Sequence, residues 1–128
     1  MKQTILTIAL MVSCIASFGR SAMDKWPALK SFHEVMAATF HPSEGGKLEP
    51  IKKQIDEFVN RAAELKTAPR PAEYDNEKVN AVITKLNAGA KELKALIVKK
   101  APDAQIRTKL STLHGLFHQI VDLTTKSE

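Results

Sequence analysis

All four histidines of this 128-residue chain fall into two short segments. His33 and His41 lie in SFHEVMAATFHP near the start, and His114 and His118 lie in STLHGLFHQIV near the end. Imidazole is the commonest metal ligand in proteins, and two histidines four residues apart on a helix can bind the same ion. The sequence therefore predicts a metal site that draws on both segments.

The identity of the ion stays open at this stage. Ligation by imidazoles suits zinc, copper and nickel alike. Water, Glu44 or Glu34 could complete the coordination, and Asp122, one turn beyond His118, could orient that imidazole through an outer hydrogen bond. These carboxylates are therefore auxiliary candidates beside the four histidines.

Distance limits how many histidines can share one ion. His33 and His41 are eight residues apart, which is ~12 Å along an α-helix. A site of three histidines with His41 outside it is therefore one alternative. A second alternative is that the histidines are structural residues and bind no metal.

The scaffold for these residues is predicted to be helical, because four segments carry apolar residues at helical spacing. We expect the first helix over residues 27–41, with Asp24 as its cap and Pro42 at its end. The second opens at Pro50 and is followed by an irregular crossover over residues 67–74, which contains two prolines. We expect the third between a cap at Asp75 and Lys99–Lys100, and the fourth from about Asp103.

Each predicted helix has one apolar stripe that should face a common core. The stripes comprise Leu29, Phe32, Met36 and Phe40; Ile51, Ile55, Phe58, Val59, Ala62 and Leu65; Val79, Val82, Ile83, Leu86, Ala90, Leu93 and Ile97; and Ile106, Leu110, Leu113, Phe117, Ile120 and Leu123. This pattern predicts an all-α fold, an antiparallel up-down-up-down four-helix bundle. In such a bundle the first and last helices are neighbours, which would set His118 beside His33 and His114 towards His41.

The first 22 residues have the features of an export signal. Lys2 precedes a short apolar stretch over residues 5–18, which is too short to span a bilayer with margin. Small residues favour cleavage after Ala16 or Gly19, and we expect residues 23–128 to form the exported domain, in the periplasm or outside the cell. The rival interpretation is a lipobox ending at Cys14, which would anchor the protein to a membrane by a lipid, although Met11 stands where such boxes usually carry Leu.

Composition limits the other function classes. Without Lys2 and Arg20 the net charge falls from +5 to about +3, and the lysines alternate with acidic residues along helix faces. We therefore expect no nucleic-acid partner. Cys14 is the single cysteine, so residues 23–128 contain no thiol nucleophile, and no sequence motif of a hydrolase or nucleotide-binding enzyme occurs. We expect a binding protein rather than an enzyme.

Met36 on the first helix and His114 or His118 on the fourth provide the residues for a second hypothesis. Their placement resembles the soluble b-type cytochromes and the cytochromes c′, four-helix bundles in which the first and last helices enclose haem. The resemblance implies a methionine and a histidine as iron ligands. The c′ family binds haem covalently through CxxCH, whereas this chain has STLHGLFHQI in that region. Haem would therefore have to be bound without a covalent link.

The first helix also carries a pattern of its own. His33, Met36, Phe40, His41, Pro42, Glu44 and Gly45 are followed by Leu48 and Pro50. This stretch is similar to a family of exported bacterial helical bundles, a resemblance that implies no activity. The favoured prediction is a carrier, buffer or sensor of zinc, copper or nickel, and the third alternative is a structural or partner-binding bundle with no cofactor. A homodimer also stays open, since Trp26 and Phe32 could pack internally or against a second copy.

Overall fold

The computed structural model of the protein describes residues 22–125. Its regular elements in that range are six α-helices and one 3₁₀ turn, with no strand among the described residues. The helices are α1 (Ala22–Lys25), α2 (Pro27–Glu44), α3 (Glu49–Lys53), α4 (Ile55–Thr67), α5 (Glu77–Val98) and α6 (Asp103–Thr125), and the 3₁₀ turn is Ala72–Tyr74. The all-helical prediction is confirmed, and four of the helices are long.

The four long helices pack around one apolar core. Helix α2 contacts α4 and α6, and helix α5 contacts the same two helices. Of the predicted stripe residues, all but four are buried in this core. The exceptions, each half-buried at its edge, are Phe40, Val59, Ile97 and Leu123. Periodicity therefore identified the inner face of every long helix, because burying such a face is what stabilises a helix in water.

Helix α2 extends further than the sequence predicts. Pro42 was expected to end the first helix after His41, yet the helix runs through Pro42 to Glu44. A proline in the last turn removes only one backbone donor, so the remaining turn can still form. The helix then ends in a Schellman motif: the Lys47 N–H donates to the Pro42 carbonyl at 2.9 Å, and Gly46 adopts a φ of +85°.

The second predicted helix is two helices in the structure. Helix α3 ends at Lys53 and α4 begins at Ile55, with Gln54 between them in a non-helical conformation at φ −103° and ψ 15°. The two helices stay in contact. The expectation of one continuous second helix was wrong, and no proline or glycine marks the break.

The cap of α5 is Asn76 and not the predicted Asp75. The Asn76 side chain accepts a hydrogen bond from the Val79 backbone N–H at 3.0 Å. Asp75 instead accepts hydrogen bonds at 3.2 Å from Arg70 and from Asn80. Both residue types are good caps, but the Asp75 carboxylate is engaged by Arg70, five residues earlier in the chain, and by Asn80 in the first turn of α5.

The predicted irregular crossover over residues 67–74 contains no α-helix beyond Thr67, the last residue of α4, and ends in the 3₁₀ turn Ala72–Tyr74. It packs onto Trp26 at the start of α2. Tyr74 stacks on Trp26 with ring centroids 6.1 Å apart, and Arg70 lies over the same indole at 5.4 Å. Trp26 and Phe32 are both fully buried within the chain. Of the two arrangements open from the sequence, both side chains therefore take the internal one.

Residues 1–21, with the predicted signal and Cys14, lie outside the described residues, as do residues 126–128. Within residues 22–125 no helix combines the length and the apolar character that a membrane crossing needs.

Candidate metal centre

The four histidines line one pocket between α2 and α6. The pocket has a volume of about 150 Å³, and its other walls are Met36, Ala37, Phe40 and Phe117. Two histidines come from each helix, so the structure brings together the two segments that the sequence singles out. Residues separated by more than 70 positions thus share one cavity.

His114 and His118 form the closest pair in this pocket. Their Nε2 atoms are 3.1 Å apart, and their rings meet edge to face with centroids 4.4 Å apart and an interplanar angle of 86°. Without a metal, such a contact needs one Nε2 to donate a proton to the other, so at least one imidazole is neutral at that nitrogen. Two nitrogens bound to one tetrahedral ion at ~2.0–2.1 Å would lie ~3.3 Å apart. The separation of the two Nε2 atoms is therefore within a few tenths of an ångström of the separation expected for two ligands of one ion.

Aromatic rings hold the histidines in place across the interface. Phe40 of α2 stacks on His114 with ring centroids 3.7 Å apart and planes 11° from parallel. In the same way, Phe117 of α6 stacks on His33, with centroids 5.4 Å apart and planes 17° from parallel. Each helix thus covers an imidazole of the other, which restricts ring rotation and excludes water from one ring face.

Burial and the neighbouring charges lower the pKa of His114. Removal of water from around its ring has the largest effect, and the positive charge of His118 adds to it. Charges on His41 and His33 act in the same direction, whereas Glu44 opposes them by raising the pKa of His114. Because metals bind the neutral imidazole, a lowered pKa keeps His114 ready for coordination.

The two histidines of α2 lie at different depths. His33 is half-buried and His41 is exposed, as their angular positions relative to the apolar stripe predict. The ring of His41 lies 6.0 Å from that of Phe40. Ala37 lies between His33 and His41 on the same face of α2, four residues from each. Its small side chain leaves the space that forms the pocket.

The three auxiliary carboxylates are not among the pocket-lining residues. Glu34 pairs with Arg61 at 3.5 Å, on the side of α2 that faces α4. Glu44 is exposed and reaches His114 only through its electrostatic effect. Asp122 is exposed on α6. Of these three carboxylates, Glu44 is the one whose charge acts on His114.

The histidine side chains stand in one pocket without converging on one point. Among residues 22–125, no group of three His, Cys, Asp or Glu side chains is placed to hold a metal ion. Two nitrogens converge, those of His114 and His118. Of the four predicted histidines, His114 and His118 form a close pair, whereas His33 and His41 line the pocket without a nitrogen near that pair.

Phe40 and Phe117 have a role in the site that the sequence did not reveal. Both belong to the apolar stripes and were expected only to fill the core. A signal was present, however, because each adjoins a histidine in the chain, as Phe40-His41 and as Phe117-His118. Across an antiparallel helix pair, such dipeptides can place each phenylalanine against a histidine of the opposite helix.

Comparison of the chain with protein-family models, with curated proteins and with solved structures found no significant match in any of the three. Its function therefore has to be inferred from the chemistry of the pocket.

Proposed function

We propose that this protein binds a transition-metal ion in the pocket between α2 and α6, with His114 and His118 as the central ligands. The observation that carries the proposal is the 3.1 Å separation of their Nε2 atoms. A single ion could replace the shared proton once the two rings turn so that both nitrogens point to it. The i, i+4 spacing on one helix then acts as a chelate, because both ligands are held by the same backbone.

The proposed scaffold is the antiparallel up-down-up-down four-helix bundle. Its support is the order of contacts between α2 and α6: His33 stacks on Phe117, and Phe40, further along α2, stacks on His114, which comes earlier in α6. Residue numbers that increase along one helix while they decrease along the helix facing it are typical of antiparallel packing. This packing brings the first and last long helices together at the metal site.

Side-chain rotation would complete the coordination. His33 and His41 line the same pocket as the close pair, and an imidazole turns about two side-chain bonds without any backbone change. Catalytic and binding sites often tighten only when the ligand is present. We propose that one of these histidines, or a water molecule, supplies the third ligand, and that Glu44 balances the charge from outside the pocket.

The size of the pocket favours an ion over haem. Its volume of about 150 Å³ corresponds to only a few water molecules at ~30 Å³ each. Sites for drug-sized ligands usually offer ~300–1,000 Å³, and the haem macrocycle would require α2 and α6 to separate. The haem alternative with Met36 and a histidine of α6 therefore ranks second.

The small pocket also favours binding over catalysis. An ion held between Phe40 and Phe117 would have little open space beside it for a substrate. The proposed biological role is therefore that of a carrier, buffer or sensor of zinc, copper or nickel, acting in the periplasm or outside the cell if residues 1–22 direct export.

Thermal unfolding with and without added metal tests the proposal. A ligand that binds only the folded state at 100 times its Kd adds ~2.7 kcal/mol to the free energy of unfolding, which raises the Tm of a domain of this size by roughly 10 °C or more. We expect such a rise for the wild type with Zn²⁺, Cu²⁺ or Ni²⁺. We expect the rise to be lost in the double variant His114→Gln/His118→Gln.

The matched control is Thr108→Gln/Thr112→Gln, which changes two exposed residues of the same helix at the same spacing, outside this pocket. It should retain the full rise in Tm. Equal rises in the histidine variant and the wild type would contradict the proposal, as would the absence of any rise with these three ions and with Cu(I).

A further inference from the structure

We infer that Met36 is a ligand of this site and that the preferred ion is Cu(I). The inference rests on the proposed function, because it takes His114 and His118 as the nitrogen ligands. It adds a sulfur ligand and an oxidation state that neither the histidine pattern nor the close pair implies.

Met36 is the one soft side chain in the wall of the pocket. It is 1% exposed and lines the cavity together with the four histidines. Its position on α2 is three residues after His33 and four before Phe40, both of which also line the cavity. The thioether therefore belongs to the same helix face as the residues that contact α6.

The donor atoms around the pocket match a soft ion. The lining residues in the described part of the chain comprise four histidines, one methionine, two phenylalanines and one alanine, so none supplies a carboxylate. Zinc sites generally have four tetrahedral ligands, often with carboxylates or thiolates among them. Thioether ligands select Cu(I), and imidazole suits copper as well. Two imidazoles and one thioether thus form a coherent set for Cu(I).

The aromatic rings that line the pocket favour a monovalent ion over a divalent one. Phe40 and Phe117 shield the imidazoles of His114 and His33 from water. Transfer of a charge out of water costs free energy that grows steeply with the charge, so a half-buried apolar site accommodates a monovalent ion more easily than a divalent one.

A thioether ligand would supply the third ligand that the converging His, Cys, Asp and Glu side chains do not provide. No three His, Cys, Asp or Glu side chains among residues 22–125 are placed around one point, but that set does not include methionine. Met36 would then take the third position that His33, His41 or water could otherwise fill, beside the two nitrogens that already lie 3.1 Å apart.

The test compares Cu(I) and Zn²⁺ binding by the tag-free protein under anaerobic conditions, each ion in competition with a chromophoric chelator. Met36→Leu is close in volume and keeps the core filled, at a cost to stability below ~1.5 kcal/mol. We expect it to weaken Cu(I) binding by ~10-fold or more, which corresponds to ~1.4 kcal/mol. Zn²⁺ binding should not change. Met23→Leu, the same substitution at a half-buried methionine outside this pocket, should leave both affinities as they are.

X-ray absorption at the copper edge provides an independent measurement. The wild type loaded with Cu(I) should show a sulfur neighbour that Met36→Leu lacks. Unchanged Cu(I) affinity in Met36→Leu, or an equal loss of Cu(I) and Zn²⁺ affinity, would overturn the role of Met36 while leaving the histidine site in place. If the wild type binds neither ion, both the inference and the proposed function fail.

Discussion

The imidazoles of His114 and His118 are in direct contact, with 3.1 Å between their Nε2 atoms. Two protonated imidazoles at that distance would repel each other, so the contact exists only while at least one ring is neutral. It is also the distance at which one ion could bind both nitrogens. Protonation and metal binding therefore compete for the same pair of atoms, and pH should act on this site before it acts on the rest of the fold.

The first prediction concerns stability below neutral pH. His114 has a lowered pKa in the folded state, chiefly through burial and next through the charge of His118, while His41 and His33 act in the same direction and Glu44 against them. The unfolded chain therefore takes up this proton first as the pH falls, and it binds more protons than the folded state in that range. The stabilising contribution is complete above the unfolded pKa of ~6.5 and is lost as the pH falls below it towards the folded value.

Urea denaturation of the metal-free protein at a series of pH values measures this effect. The free energy of unfolding should decline below about pH 6.5, and His114→Gln should show a shallower decline because the titrating ring is absent. An equally steep decline in the variant would show that other groups cause it.

The second prediction concerns Phe40, whose ring covers His114 at 3.7 Å. Phe40→Ala should let water reach the imidazole and so raise the pKa of His114 towards its ordinary value. NMR titration of the histidine ring protons measures this shift. Because Phe40 is only half-buried, the loss of stability should be about 1–3 kcal/mol, less than the ~3–5 kcal/mol of a fully buried phenylalanine. Phe40→Leu should give an intermediate pKa, and a pKa unmoved in both variants would show that the stack does not desolvate His114.

The third prediction concerns the end of α5. Lys100 has a φ of +56°, and the Ala101 N–H donates to the Leu96 carbonyl at 2.9 Å in a Schellman motif. A left-handed conformation costs a residue with a side chain ~1–2 kcal/mol. Glycine avoids this strain but loses more conformational entropy on folding, which cancels part of the gain. Lys100→Gly should therefore stabilise the protein by about 0.5–1 kcal/mol in chemical denaturation. The converse change at the end of α2, Gly46→Ala, should destabilise it, and a stability loss in Lys100→Gly would contradict this account.

The fourth prediction separates the two candidate caps of α5. Asn76→Ala removes the side chain that accepts from the Val79 N–H and should cost about 1 kcal/mol of stability. Asp75→Ala removes an exposed carboxylate from its ion pair with Arg70, whose side chain is only 11% exposed. The change should still cost less, because Arg70 keeps its hydrogen bond to Asn80 and its contact with Trp26, and an ion pair with one partner in solvent contributes ~0.2–1 kcal/mol. Denaturation midpoints of the two variants decide the order. A larger loss in Asp75→Ala would return the capping role to that residue.

Apolar periodicity was sufficient to predict the helical class and the buried face of each long helix. It succeeded because residues such as Leu86 and Leu110 are buried by the fold as a whole, and the fold depends on that burial. It failed where one local hydrogen bond decides the outcome. Asp75 and Asn76 are equally suitable caps in the sequence, and nothing in the sequence indicates that the Asp75 carboxylate is instead hydrogen-bonded by Arg70 and Asn80. Similarly, the break at Gln54 has no proline or glycine to mark it.

For the site, the sequence indicates which helices carry the histidines but not how their side chains are oriented. The grouping of the histidines on two helices led to the prediction that they meet at one ion, and the structure places all four in the lining of one pocket. The direction in which each imidazole turns was not predictable, because it depends on the rings of Phe40 and Phe117 from the opposite helix. The contact of Glu34 with Arg61 was not predictable either, because Arg61 lies 27 residues away in the chain.

Elemental analysis of the tag-free protein, purified from its own cells without chelators, tests the central claim most directly. We predict about one ion of copper, zinc or nickel per chain in the wild type, and loss of that ion in His114→Gln/His118→Gln while Thr108→Gln/Thr112→Gln retains it. A wild-type protein without bound transition metal, or a histidine variant that carries as much metal as the wild type, would contradict a metal centre at this pair.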